Sequence, residues 1–344
     1  MLSHAMERII VAGAGMTGAM TAALLRLDFS NAEILVADKA RGTGGRMSTS
    51  RSNKVDLSTV DLGAQYISIN KDYKVKHKRY HDELISNGLL VPLSGTIEGE
   101  NSDKDTVHYV TPTGVSSLVK HFLQKSGSIV QTDNLITAVD IVKGEIKVTT
   151  SSGSRLCDGL ILTMPVPQIL SLKGNMSELI NSDVKTKLES VSYSSRFALG
   201  LFYNKGTRLN YSWCGKYITD NPCIRFVAID NKKRGIDSGP SVVVHTSVPF
   251  SLKHLEKDKE EVKDIIMSHL TQVLPDLPQP VEIKSHKWRY SQVHKGFEGS
   301  PGCVVLSDKP LIILAGDGFI HSNMDGCIES ALSVQKTIKD NSNL

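Results

Sequence analysis

The segment from Ile9 to Leu25 carries no charged residue and is interrupted by Gly13, Gly15 and Gly18, an arrangement that constrains the fold more than any other stretch of the chain. Ile9, Ile10, Val11 and Ala12 suit a buried parallel strand. The six residues Gly13, Ala14, Gly15, Met16, Thr17, Gly18 then give the G-x-G-x-x-G spacing of a strand-to-helix turn that cradles a dinucleotide. Gly13 permits the tight turn, Gly15 removes the Cβ that would hold a pyrophosphate away, and Gly18 lets the helix pack closely on its strand. Thr17 lies within the cradle, and the helix N-terminus offers unpaired N–H groups to the anion. A second apolar run, Ile34 to Ala37, ends at Asp38, twenty residues after Gly18, where a carboxylate can accept both hydroxyls of an unphosphorylated ribose. The same stretch is a poor membrane span: it is about 17 residues long and broken by glycine, where roughly 20 apolar residues are needed.

The residues immediately after Asp38 bear on which dinucleotide is bound. Lys39, Ala40, Arg41, Gly42, Thr43, Gly44, Gly45, Arg46 and Met47 supply a second glycine pair with an arginine, which a plain nicotinamide dehydrogenase does not need. Gly44 and Gly45 would bring another stretch of backbone to the pyrophosphate, and Arg46 a charge that the first turn lacks. Asp61 to Ile67, including Gln65 and Tyr66, resembles the flavin-contacting segment of the amine oxidase superfamily of FAD enzymes. Near the other end, Leu311 to Leu314 is a short apolar strand closed by Ala315, Gly316, Asp317 and Gly318, and a helix is expected from about Cys327 to Lys339. In that superfamily such a unit lies under the ribityl chain and pyrimidine ring, which makes Asp317 a candidate hydrogen-bond acceptor for the cofactor. The positive end of the last helix would then stabilise charge on reduced flavin. The succession of strands Ile136–Ile141, Glu145–Thr150 and Gly159–Pro165 resembles the meander and return strand of two-dinucleotide-binding-domain flavoproteins, in which the backbone at the position of Ile136 holds adenine.

A narrower resemblance runs from about Glu7 to Ile338, carried by Met16–Gly18, Gly44–Met47, Asp61–Ile67, Leu162–Pro167, His245–Phe250, Trp288–Val293 and Gly316–Cys327. It is to a branch of the superfamily whose members oxidise misreduced nicotinamide dinucleotides, the 2-dihydro and 6-dihydro isomers of NAD(P)H, and pass the electrons to oxygen as hydrogen peroxide. Superfamily amine oxidases hold the substrate nitrogen between two aromatic rings, one of them a tyrosine just before the last helix; here Asn323 stands at its place, which disfavours amine oxidation. The lysine that holds a water at flavin N5 in those enzymes has possible counterparts in Lys284 and Lys287. Hydride removal from a dihydronicotinamide needs placement and no general base. His245, to hydrogen-bond the carboxamide, and Trp288, to wall the nicotinamide slot, are the candidate substrate-cavity residues. Two alternatives stay open: a flavin amine (catecholamine) oxidase, and a secreted signalling or binding protein with a relic flavin.

Composition is that of an ordinary globular protein: 344 residues, 40% hydrophobic, 22% charged, net charge +4. The basic residues are scattered, as in Lys71–Arg79 and Lys232–Arg234, without the interleaved aromatics of a nucleic-acid site, and read as solvated faces. Five cysteines, with no C-x-x-C pair, suit a reducing compartment. Residues Met1 to Met6 show no signal core, so the expected location is cytoplasmic, with export of the intact chain as the alternative. The expected fold is α/β, a two-dinucleotide-binding-domain FAD (Rossmann-type) fold with an interleaved α+β substrate domain. The FAD-binding domain takes 1–70, 112–170 and 285–344, and the substrate domain 71–111 and 171–284. FAD is expected to be noncovalent, no metal site is expected, and the partners are a small-molecule dinucleotide and O2. Within the substrate domain, Tyr73–Leu89 reads as one helix, and Phe197–Tyr203, Ile224–Ile229 and Ser241–Thr246 as strands of a cavity floor. Ser251–Leu274 reads as one charged helix covering that sheet.

Overall fold

Residues 6–342 are described by the structure, a computed structural model, with side chains described through residue 340; Met1–Ala5, on which the signal-peptide expectation rests, lie outside the described residues. The chain forms two compact units. The first comprises Met1–Gly45, Leu118–Ser192 and Val293–Leu344, and the second Arg46–Ser117 and Tyr193–Gln292.

The first unit is built on a six-stranded sheet in the order Cys303–Asp308, Leu311–Ala315, Gly159–Leu162, Arg8–Ala12, Glu33–Ala37, Ile129–Gln131. All neighbours are parallel except the first pair. Its central strands are apolar without alternation, and Val11, Val36, Ile161 and Ile313 are fully buried, as a parallel sheet covered on both faces requires. From the central strand Arg8–Ala12 the chain crosses to Glu33–Ala37 on one side and is flanked by Gly159–Leu162 on the other. This is a topological switch point, and the crevice beyond the carboxyl ends of such strands is where open α/β sheets bind ligands. The helix Met16–Asp28 packs against the last helix, Met324–Ser342, and an antiparallel meander of Ile136–Val142, Glu145–Thr150 and Gly153–Cys157 completes the unit.

The second unit centres on another six-stranded sheet, Glu282–Trp288, Arg196–Phe202, Ser241–Thr246, Ile224–Ile229, Gly215–Tyr217 and Ile97–Glu98, antiparallel except for its last pair. Period-2 alternation gives it two different faces. Phe197, Leu199, Leu201, Val242 and Val244 point to a dry core shared with Val262, Ile266 and Leu270, the i, i+4, i+8 stripe of the helix Lys259–Val273. Burying each such side chain contributes roughly 1.5–3 kcal/mol. The opposite face presents Ala198, Phe202, Phe226 and Val243, with Tyr217 and Trp288 packed beside them.

The units turn over at 45, 117, 192 and 292, where the sequence pattern predicts boundaries at 70, 111, 170 and 284. Val60 and Leu62 are buried among Ala198, Phe202 and Phe226, which ties 46–70 to the second sheet. Lys173 is bonded on both sides of its peptide to the meander, through Thr137 O and Val139 N, which ties the segment after 170 to the first unit. Two expected helices are each divided. Tyr73–Leu89 breaks at His77 into Lys71–Lys76 and Lys78–Ser86, leaving Val75 78% exposed. Ser251–Leu274 is Val248–Lys253 followed by Lys259–Val273, because Asp258 accepts a bond from Glu260 N and starts a new helix.

Candidate functional site

In the first unit four parallel strands end on one edge of the sheet: Gly13 follows Ala12, Asp38 follows Ala37, Thr163 follows Leu162, and Gly316 with Asp317 follows Ala315. Gly13 has φ +111°, and a Cβ there would lie 2.7 Å from Thr163 Oγ1. A Cβ on Gly18 would lie 1.9 Å from the carbonyl oxygen of Gly13, so the helix can approach the turn only with glycine. Gly15 is the opposite case, since a Cβ there meets nothing within 4 Å and would project into open space. Behind it the helix Met16–Asp28 has no side-chain cap and no acid in its first turn, leaving a positive end available to an anion. Thr17 is buried in that turn, and the Gly44 amide donates to Ala14 O, drawing the second glycine pair against the first. The site residues therefore suit a dinucleotide, with Gly15 leaving the room that a pyrophosphate would fill.

Asp38 braces this turn. Its Oδ2 accepts from Ala14 N at 2.7 Å and its Oδ1 from Ala40 N at 2.8 Å, which leaves each oxygen a lone pair for a ribose hydroxyl. Lys39 beside it is exposed, as is Gly45. Ile136 is buried at a β-bulge, where the ladder to Glu145–Thr150 shifts register between Ile136 and Ala138 and backbone groups leave the regular pairing. Asp317 is buried in a single 3-10 turn and accepts a hydrogen bond from Ser322, whose hydroxyl oxygen in turn accepts from Val293 N at 2.7 Å.

In the second unit, one backbone carbonyl gathers the predicted cavity residues. Leu62 O accepts from Trp288 Nε1 at 2.9 Å and from His245 Nε2 at 3.0 Å. Cross-strand register puts the two rings on one sheet face, since His245 pairs with Ala198 and Trp288 with Arg196, two residues apart on the same strand. A carbonyl can only accept, so Nε2 of His245 carries the proton and Nδ1 presents a lone pair. Burial, with Arg196 and Lys233 nearby, pushes the His245 pKa down to about 4 against the bond to Leu62, so the ring is neutral at pH 7. His286 lies 3.9 Å from Trp288 between ring centres and is likewise pushed down to about 4, mainly by burial.

The segment that carries Leu62 is held from below. Gly63 must be glycine, because a Cβ would lie 1.9 Å from Arg46 O, and Ala64 N donates to the same oxygen at 2.9 Å. Arg46 is half-buried and its Nη1 reaches Ser291 O at 3.5 Å. Gln65 spends its amide inside the loop: Nε2 donates to Asp61 O and Gly63 O, and Oε1 accepts from Lys233 Nζ at 2.9 Å. Tyr66 shares a 2.7 Å hydroxyl–hydroxyl bond with Tyr217, and burial raises its pKa well above the ordinary phenol value.

Beneath the loop, Asp61, Asp230, Lys233 and Arg234 form a buried group of two acids and two bases. Arg234 Nη2 reaches Asp61 Oδ2 at 2.7 Å and Asp230 Oδ2 at 2.5 Å, and Lys233 Nζ reaches Asp230 Oδ1 at 2.6 Å. Burial and the neighbouring Asp230 raise the Asp61 pKa, while Thr49 Oγ1 and Val115 N donate to its Oδ1 and favour the charged form. The reading of Lys232–Arg234 as a solvated face is thus corrected for Lys233 and Arg234, which are 1% and 5% exposed. The usable signal was spacing: Asp230 precedes them by three and four residues, on one helical face.

Lys284 and Lys287 are engaged away from the histidine–tryptophan pair, Lys284 with Arg51 O and Lys287 with Leu255 O and Lys257 O. Asn323 is exposed, and its Oδ1 accepts from Gly326 N at 2.6 Å, capping the last helix.

Residues 11–84 match the NAD(P)-binding Rossmann-like domain, and residues 78–334 match the flavin containing amine oxidoreductase family. Renalase of Mus musculus is 44% identical over 339 residues, 97% of this chain and 99% of its own. Among solved structures, a putative protoporphyrinogen oxidase from Exiguobacterium sp. 255-15 superposes with a TM-score of 0.73 at 13% identity, covering 97% of this chain and 98% of its own. A Pyrococcus furiosus protein superposes at 0.62, also at 13% identity, with 98% of both chains covered. These two share the fold. Among the described residues no helix is long and apolar enough to cross a membrane.

Proposed function

The chain belongs to the flavin containing amine oxidoreductase family, as a homologue of renalase, and is a flavin-dependent oxidoreductase that uses FAD; from that premise we propose that its substrates are the 2-dihydro and 6-dihydro isomers of NAD(P)H. The overall reaction is dihydro-NAD(P) plus O2 plus a proton giving NAD(P)+ and H2O2. Bound FAD supplies a two-electron acceptor that oxygen reoxidises. Gly13, Gly15, Thr17, Gly18 and Asp38 would hold its adenosine and pyrophosphate, with Lys39, Gly45 and Arg46 adding backbone and charge, Ile136 meeting adenine, and the backbone at Gln65, with Tyr66 and Asp317, serving the flavin end.

The observation that carries this reading is the Leu62 carbonyl, which fixes His245 and Trp288 together. With Nε2–H committed to Leu62, the Nδ1 lone pair can accept a carboxamide N–H, and the indole face can support a flat heterocycle. Loss of hydride turns the ring into a pyridinium cation. A protonated imidazole beside it would oppose that charge, whereas a neutral one does not, and the depressed pKa keeps His245 neutral. No base is needed, because the carbon loses hydride and no proton. Amine oxidation has less support, since Asn323 uses its amide to cap a helix and supplies no ring.

Anaerobic mixing tests the substrate. The FAD-loaded protein should bleach rapidly with 6-dihydro-NAD and recover its colour with peroxide in air, and an aromatic primary amine should leave it yellow. Bleaching by the amine alone would overturn the proposal.

A further inference from the structure

On the sheet face that carries His245 and Trp288, two arginines have no acid to pair with. Arg196 is half-buried opposite Trp288 and donates from Nη1 to Thr246 O at 2.8 Å. Arg225 occupies the register shift between Ile224 and Phe226, where a bulge re-aims the side chain. Its guanidinium lies 5.4 Å from the Tyr217 ring centre and its Nη1 reaches Ile218 O at 3.3 Å. Among the described residues neither arginine has a carboxylate at ion-pair distance. Burial and the Arg225 charge both hold the Arg196 pKa below its ordinary value. Arg196 bonds Thr246, whose cross-strand partner Ile224 precedes Arg225, so two forked donors share one neighbourhood that suits an oxyanion.

We infer that Arg196 and Arg225 bind the pyrophosphate of the dinucleotide substrate, and so select dinucleotides over simpler dihydronicotinamides. This rests on the proposed substrate and extends it from the nicotinamide ring to the rest of the molecule. The pyrophosphate is common to NAD and NADP forms, which gives the assignment a consequence: both should depend on the arginines equally.

The FAD-loaded protein and its Arg196→Gln, Arg196→Lys and Arg225→Gln variants are compared in two ways. The first is kcat/KM for 6-dihydro-NAD, 6-dihydro-NADP and 6-dihydronicotinamide riboside. The second is calorimetric titration with ADP-ribose, which carries the pyrophosphate without the ring. Each glutamine variant should lose about tenfold or more on both dinucleotides, chiefly in KM, and a similar factor in ADP-ribose affinity. The riboside should lose far less than either dinucleotide, and Arg196→Lys should recover part of the loss. Unchanged ADP-ribose binding in both glutamine variants would overturn the inference, as would a loss confined to the NADP form, which would place the 2′-phosphate there instead. Weakened ADP-ribose binding without turnover of any dihydronicotinamide would uphold the arginine site and reject the proposed substrate. Exposed Arg225 makes its variant independent of any folding defect at Arg196.

Discussion

The glycine cradle of the first unit and the aromatic wall of the second are specified by the sequence in different ways. The cradle is local. Gly13, Gly15 and Gly18 lie within six residues, and each is required by what a Cβ would strike or obstruct. The wall is assembled from Leu62, His245 and Trp288, whose contacts span 183 and 226 residues and converge on one carbonyl. A site made of backbone can be read from spacing, because sterics leave one residue type for the place. When a peptide oxygen orients two side chains, the oxygen leaves no mark on the residue that bears it.

The largest expected effect breaks the cradle. Gly18→Val forces a side chain into the Gly13 carbonyl, 1.9 Å from the ideal Cβ position, and should yield protein purified without yellow colour that takes up no FAD. Gly15→Ala is the sharper companion, since its Cβ strikes nothing in the protein: folding should survive while FAD affinity falls. If Gly18→Val carries wild-type flavin, the steric account of the cradle is wrong.

Next in size is the buried charge group under the Leu62 loop. Asp230→Ala leaves Lys233 and Arg234 buried with only Asp61, and breaking such a group costs about 3–5 kcal/mol. Thermal unfolding should show it as a large fall in Tm. A variant within about 1 °C of the parent would mean that water already compensates these charges.

Legibility in the sequence divides along the same line. The parallel strands, the place of Asp38 after one of them and the three-glycine turn could be read because uninterrupted apolar runs and fixed spacing report burial directly; the strand order that makes the switch point could not. The strands Ile224–Ile229 and Ser241–Thr246 were legible for that reason too. Lys233 and Arg234 were not, because a basic run looks solvated until the two acids beneath it are seen. Nor were the breaks at His77 and at Asp258, where local capping overrides a continuous helical pattern. Of the candidate residues, His245 and Trp288 are brought together by the fold, whereas the side chain of Gln65 turns into its own loop.

A smaller effect tests the shared carbonyl. Trp288→Phe keeps a flat ring and removes the N–H to Leu62, so kcat/KM for 6-dihydro-NAD should fall about tenfold, in line with one lost hydrogen bond of ~1 kcal/mol and a loosened neighbour. His245→Asn removes the second donor. If the two rings act through one oxygen, the double variant should lose less than the product of the single losses. Strict multiplication would show that they work separately.

The smallest effect is on pH, and its sign comes from burial. His245 and His286 hold their protons only near pH 4 in the folded chain, against about 6.5 when unfolded. Between those values the unfolded chain binds protons that the native one does not, so stability is complete above about pH 6.5 and declines as pH falls toward 4. The His245 ring is largely buried, and its share is on the order of 1–3 kcal/mol, a few °C in Tm. His245→Asn should therefore flatten the acid limb of the Tm–pH curve. It should do so while the parent's KM for 6-dihydro-NAD stays constant from pH 7 to about 5, because the ring remains a neutral acceptor over that range. A KM that rises through pH 6.5 in the parent would show that His245 titrates normally and that Leu62 does not hold it in one tautomer.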